Sequence, residues 1–181
     1  MTTYCDYVNA HPEDTFNKEY HDTQYGFPLD DDNLLFERLI LEINQAGLSW
    51  SAILKKGDNF RKAYRGFDIE EAAKFTEKDR ARLLANAGIV RNRLKVNAAI
   101  ENAKRIQALR KEFGSFKGWL DAHCPRTKEE WVKLFKKTFV FTGGEIVSEF
   151  LLSTGYLPGA RDENCPIYKR AASLRPAWMR K

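Results

Sequence analysis

The sequence predicts an all-α fold of about seven to nine helices in a single domain, residues 1–181. Three observations carry this. Side chains that cap helix N-termini recur just ahead of segments with helical apolar spacing. No stretch combines strict apolar–polar alternation with β-branched enrichment, so no strand is expected. Of the 181 residues, 43% are hydrophobic, including twelve Phe, seven Tyr and four Trp, enough to bury a core without disulfide or metal staples.

In chain order, Asp32 or Asn33 is placed to cap a helix through LLFERLILEINQA that ends near Gly47. Residues 50–56 read as a short helix stopped by Gly57. Asp68 with Glu71, and Thr76 with Asp79, have N-cap spacing ahead of IEEAAKF and EKDRARLLANA. Gly88 is placed as a C-cap, and a helix rich in Ala, Ile and Leu follows over residues 94–113. Thr127 and Glu130 form a capping-box pair before WVKLFKK, and residues 145–154 give a last helix closed by Gly155. The ends read as irregular and turn-rich: residues 1–31 hold Cys5, His11 and His21, and residues 157–181 hold Cys165. Loop-rich ends with Cys and His suit joining by a metal.

Charge and cysteine use narrow the function classes. No apolar run approaches the length that crosses a bilayer, and the N-terminus lacks a basic-then-apolar leader pattern, so a cytoplasmic protein without a membrane partner is expected. Three widely spaced Cys argue for reduced thiols or metal ligands over a disulfide framework. The net charge of +5 hides a division: residues 1–50 carry two basic side chains against ten acidic, residues 51–181 twenty-eight against fifteen. A basic surface of that extent suits a polyanion, with a merely solvated face as the alternative.

Two segments carry chemistry. Residues 82–100, RLLANAGIVRNRLKVNAAI, read as helix, tight turn at Ala87–Gly88–Ile89, and helix. Such a turn presents backbone N–H groups at the start of the second helix, where the helix dipole favours an anion. Arg91, Arg93 and Lys95 surround that point, and a DNA phosphate is the natural ligand; an αα-corner with solvated basic residues is the alternative. In the second segment Glu42 lies about 20° from Leu35 on a helical wheel, at the border of the buried face. Gly47 then ends that helix, and Trp50 follows. A carboxylate beside an aromatic ring defines a pocket for a flat cationic ligand, against the alternative of a solvated acid and a core Trp.

Cys5, YHDTQYG, LEINQAGLSW, ILKK and AGIVRNRLK together resemble the bacterial 3-methyladenine DNA glycosylase I family, in order over nearly the whole chain. The resemblance implies a helix-hairpin-helix DNA glycosylase bundle that excises N3-methyladenine from alkylated double-stranded DNA, as a monomer, without a catalytic cofactor. It assigns base recognition, the catalytic role, to Glu42, stacking to Trp50 and a further contact to Tyr20. Tyr7 and Tyr25 stand where the family commonly has pocket-lining Trp, and Phe16 replaces another aromatic. DNA contacts fall to Gly88, Arg91, Arg93 and Lys95, with Lys55, Lys56, Lys136 and Lys137, and to Thr142 and Gly143, where a strand can approach the backbone. The family lacks the catalytic Asp common among hairpin glycosylases, leaving Glu145 as the nearest substitute, or else a first-turn acid. The family's structural zinc matches Cys5, His21 and Cys165, but its fourth ligand position holds Arg161, which has no lone pair to offer. Either a structural zinc is held by those three with water, His11 or His123 completing the tetrahedron, or the ends are held without metal and Arg161 pairs with an acid such as Asp6 or Asp162. A non-catalytic DNA-binding module, and a basic helical protein with no partner, are the alternatives.

Overall fold

Capping pairs in the sequence set many of the helix starts seen in the computed structural model, which describes residues 3–180. Twelve α-helices are present among them: α1 (Tyr4–Ala10), α2 (Thr15–Thr23), α3 (Asp32–Gln45), α4 (Trp50–Lys55), α5 (Gly57–Ala63), α6 (Ile69–Ala73), α7 (Glu77–Ala85), α8 (Arg93–Phe113), α9 (Phe116–His123), α10 (Lys128–Thr138), α11 (Gly144–Ser153) and α12 (Tyr168–Ser173). Short 3₁₀ turns occupy Arg65–Phe67 and Ala177–Met179, and the described residues contain no strand. Thr76/Asp79 and Thr127/Glu130 close reciprocal capping boxes at α7 and α10, and the Asp68 side chain accepts from the Glu71 N–H at α6. Each satisfies N–H groups that the first helical turn leaves without partners.

The fold is built around α3, which packs against α4, α6, α8, α9 and α11. Its apolar side chains Leu35, Phe36, Leu39, Ile40 and Ile43 are fully buried. Asp31 caps it, one residue before the expected position. Asp32 is thereby freed to accept from the N–H groups of Phe116 and Lys117 and from Arg110 Nε, seating the start of α9 on α3. An aromatic cluster of Phe116, Trp119, Trp131, Phe135, Phe139 and Phe150 joins α9, α10 and α11 to the same core. Gly155 ends α11 at φ +78°, and an added Cβ would come within 2.7 Å of Pro176, so both its conformation and its lack of a side chain are required.

The structure corrects several expected boundaries. Residues 4–10 and 15–23, expected to be irregular, are helical: α1 begins at a Thr3/Asp6 capping box, and the Asp14 side chain caps α2. Gly57 does not stop the chain's helical run but opens α5 after a one-residue break at Lys56. Asn86, not Gly88, ends α7, and Gly88 does not take a positive φ. Among the described residues no helix is long and apolar enough to cross a membrane.

Candidate active site

Glu42 lies in the last turn of α3, where the helix passes from core to surface. Gly47, at φ +83°, reverses the chain, and the Ser49 side chain caps α4, so that Trp50 returns beside the end of α3. A polar hub then fixes α1, α2 and α4 together. Buried Asn17 donates to Ser51 Oγ (2.6 Å) and to Asp14 Oδ2 (2.8 Å), and accepts from the Tyr4 hydroxyl (2.8 Å). The result is a cavity of about 470 Å³ whose lining includes Tyr4, Tyr20, Tyr25, Trp50, Glu42 and Glu149. That volume falls within the roughly 300–1,000 Å³ usual for small-ligand sites. The Tyr20 and Trp50 rings lie 5.1 Å apart, and Tyr4 meets Tyr25 edge-on at 4.9 Å.

The electrostatics of this cavity are unusual for its size. Glu42 is only 4% exposed, and its carboxylate has no hydrogen-bond partner among the described residues. Burial, reinforced by the negative charge of Glu149, pushes its pKa up to about 8, against the opposing pull of Arg38. Burial also raises Glu149, with Glu145 adding to the effect; the Tyr25 hydroxyl donates to Glu149 at 3.5 Å. Arg38 stands behind the wall, its guanidinium 4.8 Å from the Tyr20 ring centre, donating to the Ser153 carbonyl and the Gln24 side chain. The Trp50 indole N–H and the Tyr20 hydroxyl are buried without partners. Two under-satisfied carboxylates and two free donors in an aromatic-walled cavity favour a flat, polar, positively charged occupant.

Of the residues expected to line a pocket, Glu42, Trp50, Tyr20 and Tyr25 meet here. Tyr7 does not: its hydroxyl donates to Asp14 Oδ2, and Tyr4, one helical turn earlier, supplies the ring that faces the cavity. Phe16 is 47% exposed in the first turn of α2 and lines a separate groove with Leu34, Leu54 and Leu174. Glu145 is an exposed first-turn acid of α11, 3.7 Å from Lys128, and it does not line the cavity.

The basic hairpin is also partly reassigned. Arg91 and Arg93 are exposed and form no ion pair among the described residues. Gly88 donates its N–H to Asn86 Oδ1 at 2.8 Å, and an added Cβ would lie 3.1 Å from the Asn59 amide nitrogen, so this glycine serves a close side-chain approach. Asn92 caps α8 through the Leu94 and Lys95 N–H groups. Lys95 is 5% exposed and cannot be a phosphate contact in this arrangement: its ammonium donates to the carbonyls of Asn44 (2.9 Å) and Ala46 (2.7 Å), the C-terminal end of α3. Thr142 is buried too, donating to the Phe135 carbonyl, while Gly143 is an exposed N-cap of α11. Cys5, His21 and Cys165 converge, their ligand atoms within 4.8 Å of one another, with Arg161 pressed against them.

The family model described as methyladenine glycosylase matches residues 10–134. The chain belongs to the methyladenine glycosylase family. It is 34% identical, over 92% of its own length and 98% of the relative's, to the DNA-3-methyladenine glycosylase of Haemophilus influenzae. It is 42% identical over 55% of its length, and 52% of the relative's, to DNA-3-methyladenine glycosylase 1 of Escherichia coli. Among solved structures, a 3-methyladenine DNA glycosylase I from Staphylococcus aureus, described for its recognition of 3-methyladenine, superposes with a TM-score of 0.76. It is 30% identical, covering 84% of this chain and 90% of that one.

In this methyladenine glycosylase, sequence reasoning did not find Tyr4 and Glu149. Tyr4 sits in a segment expected to be irregular, so no face could be assigned to it. Glu149 did leave a signal: it is a lone carboxylate within the apolar run IVSEFLL, a position that helical spacing turns inward.

Proposed function

We propose that this chain hydrolyses the N-glycosidic bond of N3-methyladenine in alkylated double-stranded DNA, leaving an abasic site. One observation carries the reading: buried Glu42 and half-buried Glu149 share an aromatic-walled cavity that favours positive charge, and N3-methyladenine in DNA is a cation. Neutral bases gain no charge attraction from the carboxylates and still incur the cost of unstacking, a few kcal/mol, on entry.

The lesion's own charge supplies leaving-group activation. The bond from the sugar C1′ to the purine breaks with its electron pair going to the base, which leaves neutral. Water adds to C1′ and releases a proton to solvent. No strong general acid is required, consistent with a cavity whose acids serve recognition. Glu42 accepts from the exocyclic amine, and Trp50 and Tyr20 hold the ring, each cation–π contact contributing about 0.5–2 kcal/mol. No Lys lines the cavity among the described residues, so nothing favours a Schiff-base lyase step. Phosphate anchoring falls to Arg91, Arg93 and the N–H groups that open α8.

Chromatography of methylated duplex DNA after incubation is expected to show free 3-methyladenine. Duplex binding without base release would favour the non-catalytic module instead. Arg93→Ala is expected to weaken binding to all duplexes alike and to make the salt dependence shallower by about one counterion. A loss confined to particular sequences would contradict a phosphate role. Tyr7→Phe and Phe16→Ala are expected to change single-turnover excision by less than about twofold, since neither side chain faces the cavity.

A further inference from the structure

Four side chains from opposite ends of the chain meet in the interior: Cys5 of α1, His21 of α2, and Arg161 and Cys165 from the segment before α12. Each of these residues is less than one-tenth exposed. His21 Nδ1 faces Asp22 Oδ1 at 2.7 Å, so that nitrogen carries the proton and Nε2 keeps its lone pair. That lone pair is taken: Arg161 Nη1 donates to it at 3.1 Å and lies 3.8 Å from Cys165 Sγ. Arg161 Nη2 donates to the backbone carbonyls of His21 and Tyr25, the latter at 2.6 Å, and the guanidinium lies 5.2 Å from the Phe27 ring centre.

These residues do not fit a zinc ion. Zinc takes four lone-pair donors at about 2.0–2.3 Å, and a guanidinium offers none. An ion placed within reach of Cys5, His21 and Cys165 would lie against Nη1, bringing two cations together in a buried site and displacing the hydrogen bond to His21.

We propose that Arg161 replaces a structural metal in this chain, its planar fork clamping the C-terminal segment onto α2 and the turn that follows it. The clamp has a direct bearing on the cavity. Tyr25, whose carbonyl it grips, and Ala160, its chain neighbour, both line the base site. The planar pair of Nη groups, which reaches His21, Cys165 and two carbonyls at once while Nε stays buried and unpartnered, explains why arginine suits this position and lysine, a point charge, does not.

The test is metal content and metal-dependent stability of the purified full chain. Wild-type protein grown with added zinc chloride is expected to hold less than about 0.1 zinc per chain, and its melting temperature to be unmoved by chelators. Arg161→His completes a two-cysteine, two-histidine set. That variant is expected to take up about one zinc per chain, to melt lower once chelated, and to show the visible absorption of tetrahedral cobalt when given Co²⁺. Arg161→Lys is expected to melt lower than wild type, with or without zinc. About one tightly held zinc in the wild type, or a chelator-induced drop in its melting temperature, would overturn the proposal. So would a folded Arg161→His chain that binds neither metal. Should Arg161→His fail to fold, the wild-type zinc content alone decides. None of these readouts depends on excision.

Discussion

Glu42→Gln is expected to reduce single-turnover excision on the order of 100-fold or more, while raising stability at pH 8. The two effects have one origin. Glutamine keeps the size and the acceptor of glutamate but not its negative charge, so a large loss isolates the contribution of charge to holding a cationic base. On the stability side, Glu42 titrates at about 8 in the folded chain against an ordinary value of 4.5. Between those pH values the folded state binds a proton that the unfolded state does not. Stability present below pH 4.5 is therefore lost as pH rises to about 8, by on the order of a few kcal/mol at ~1.4 kcal/mol per pKa unit. Glutamine does not ionise and escapes that loss. Urea denaturation at pH 5 and pH 8.5 should show the variant's advantage widening at the higher pH. Parallel wild-type and variant curves would contradict the burial argument. Wild-type excision should rise as pH increases through the titration of Glu42, with a midpoint below 8 because the bound cation favours the carboxylate. The variant should be flat over that range.

Lys95→Met is expected to cost about 2–3 kcal/mol of stability and to lower excision without altering the salt dependence of DNA binding. The ammonium holds the carbonyls of Asn44 and Ala46, which lie two and four residues beyond Glu42 on the way to Trp50. Methionine matches the length of the aliphatic stem but leaves those carbonyls without their charged donor at a helix C-terminus, where a cation is favoured. The end of α3 then loosens, and with it the spacing between the recognition carboxylate and the stacking ring. Denaturation together with a salt titration of duplex binding separates the two roles open to a basic residue in this hairpin. A shallower salt slope at unchanged stability would return Lys95 to the phosphate contacts and remove it from the cavity's support.

The pairing of Glu42 with Trp50 was legible because both lie within nine residues, and a wheel plus one glycine turn brings them together. The starts of α6, α7 and α10 were legible for a similar reason, since each cap and its partner are three residues apart. What escaped reading depends on long-range packing. Lys95 looks like any other cation in RNRLK until α3 is seen to end against it. Tyr4 and Tyr7 differ by one turn of a helix whose cap, Thr3 with Asp6, is local, yet only the docking of α1 on α2 tells which ring faces inward. Arg161 shows the opposite case: the sequence marked it as an unsuitable ligand, and the packing shows what occupies it.

The burial of Glu42 also bears on how the site empties. An acid that ionises near pH 8 when alone holds its negative charge at neutral pH chiefly while a positive ring lies against it. Cleavage removes that positive charge from the purine, and the carboxyl group then regains a proton from water. The released base is left facing a neutral acid group, so the attraction that held the lesion is lost once the bond has broken. Turnover would thus carry its own eviction signal, with free purine a weaker competitor than the intact damaged strand.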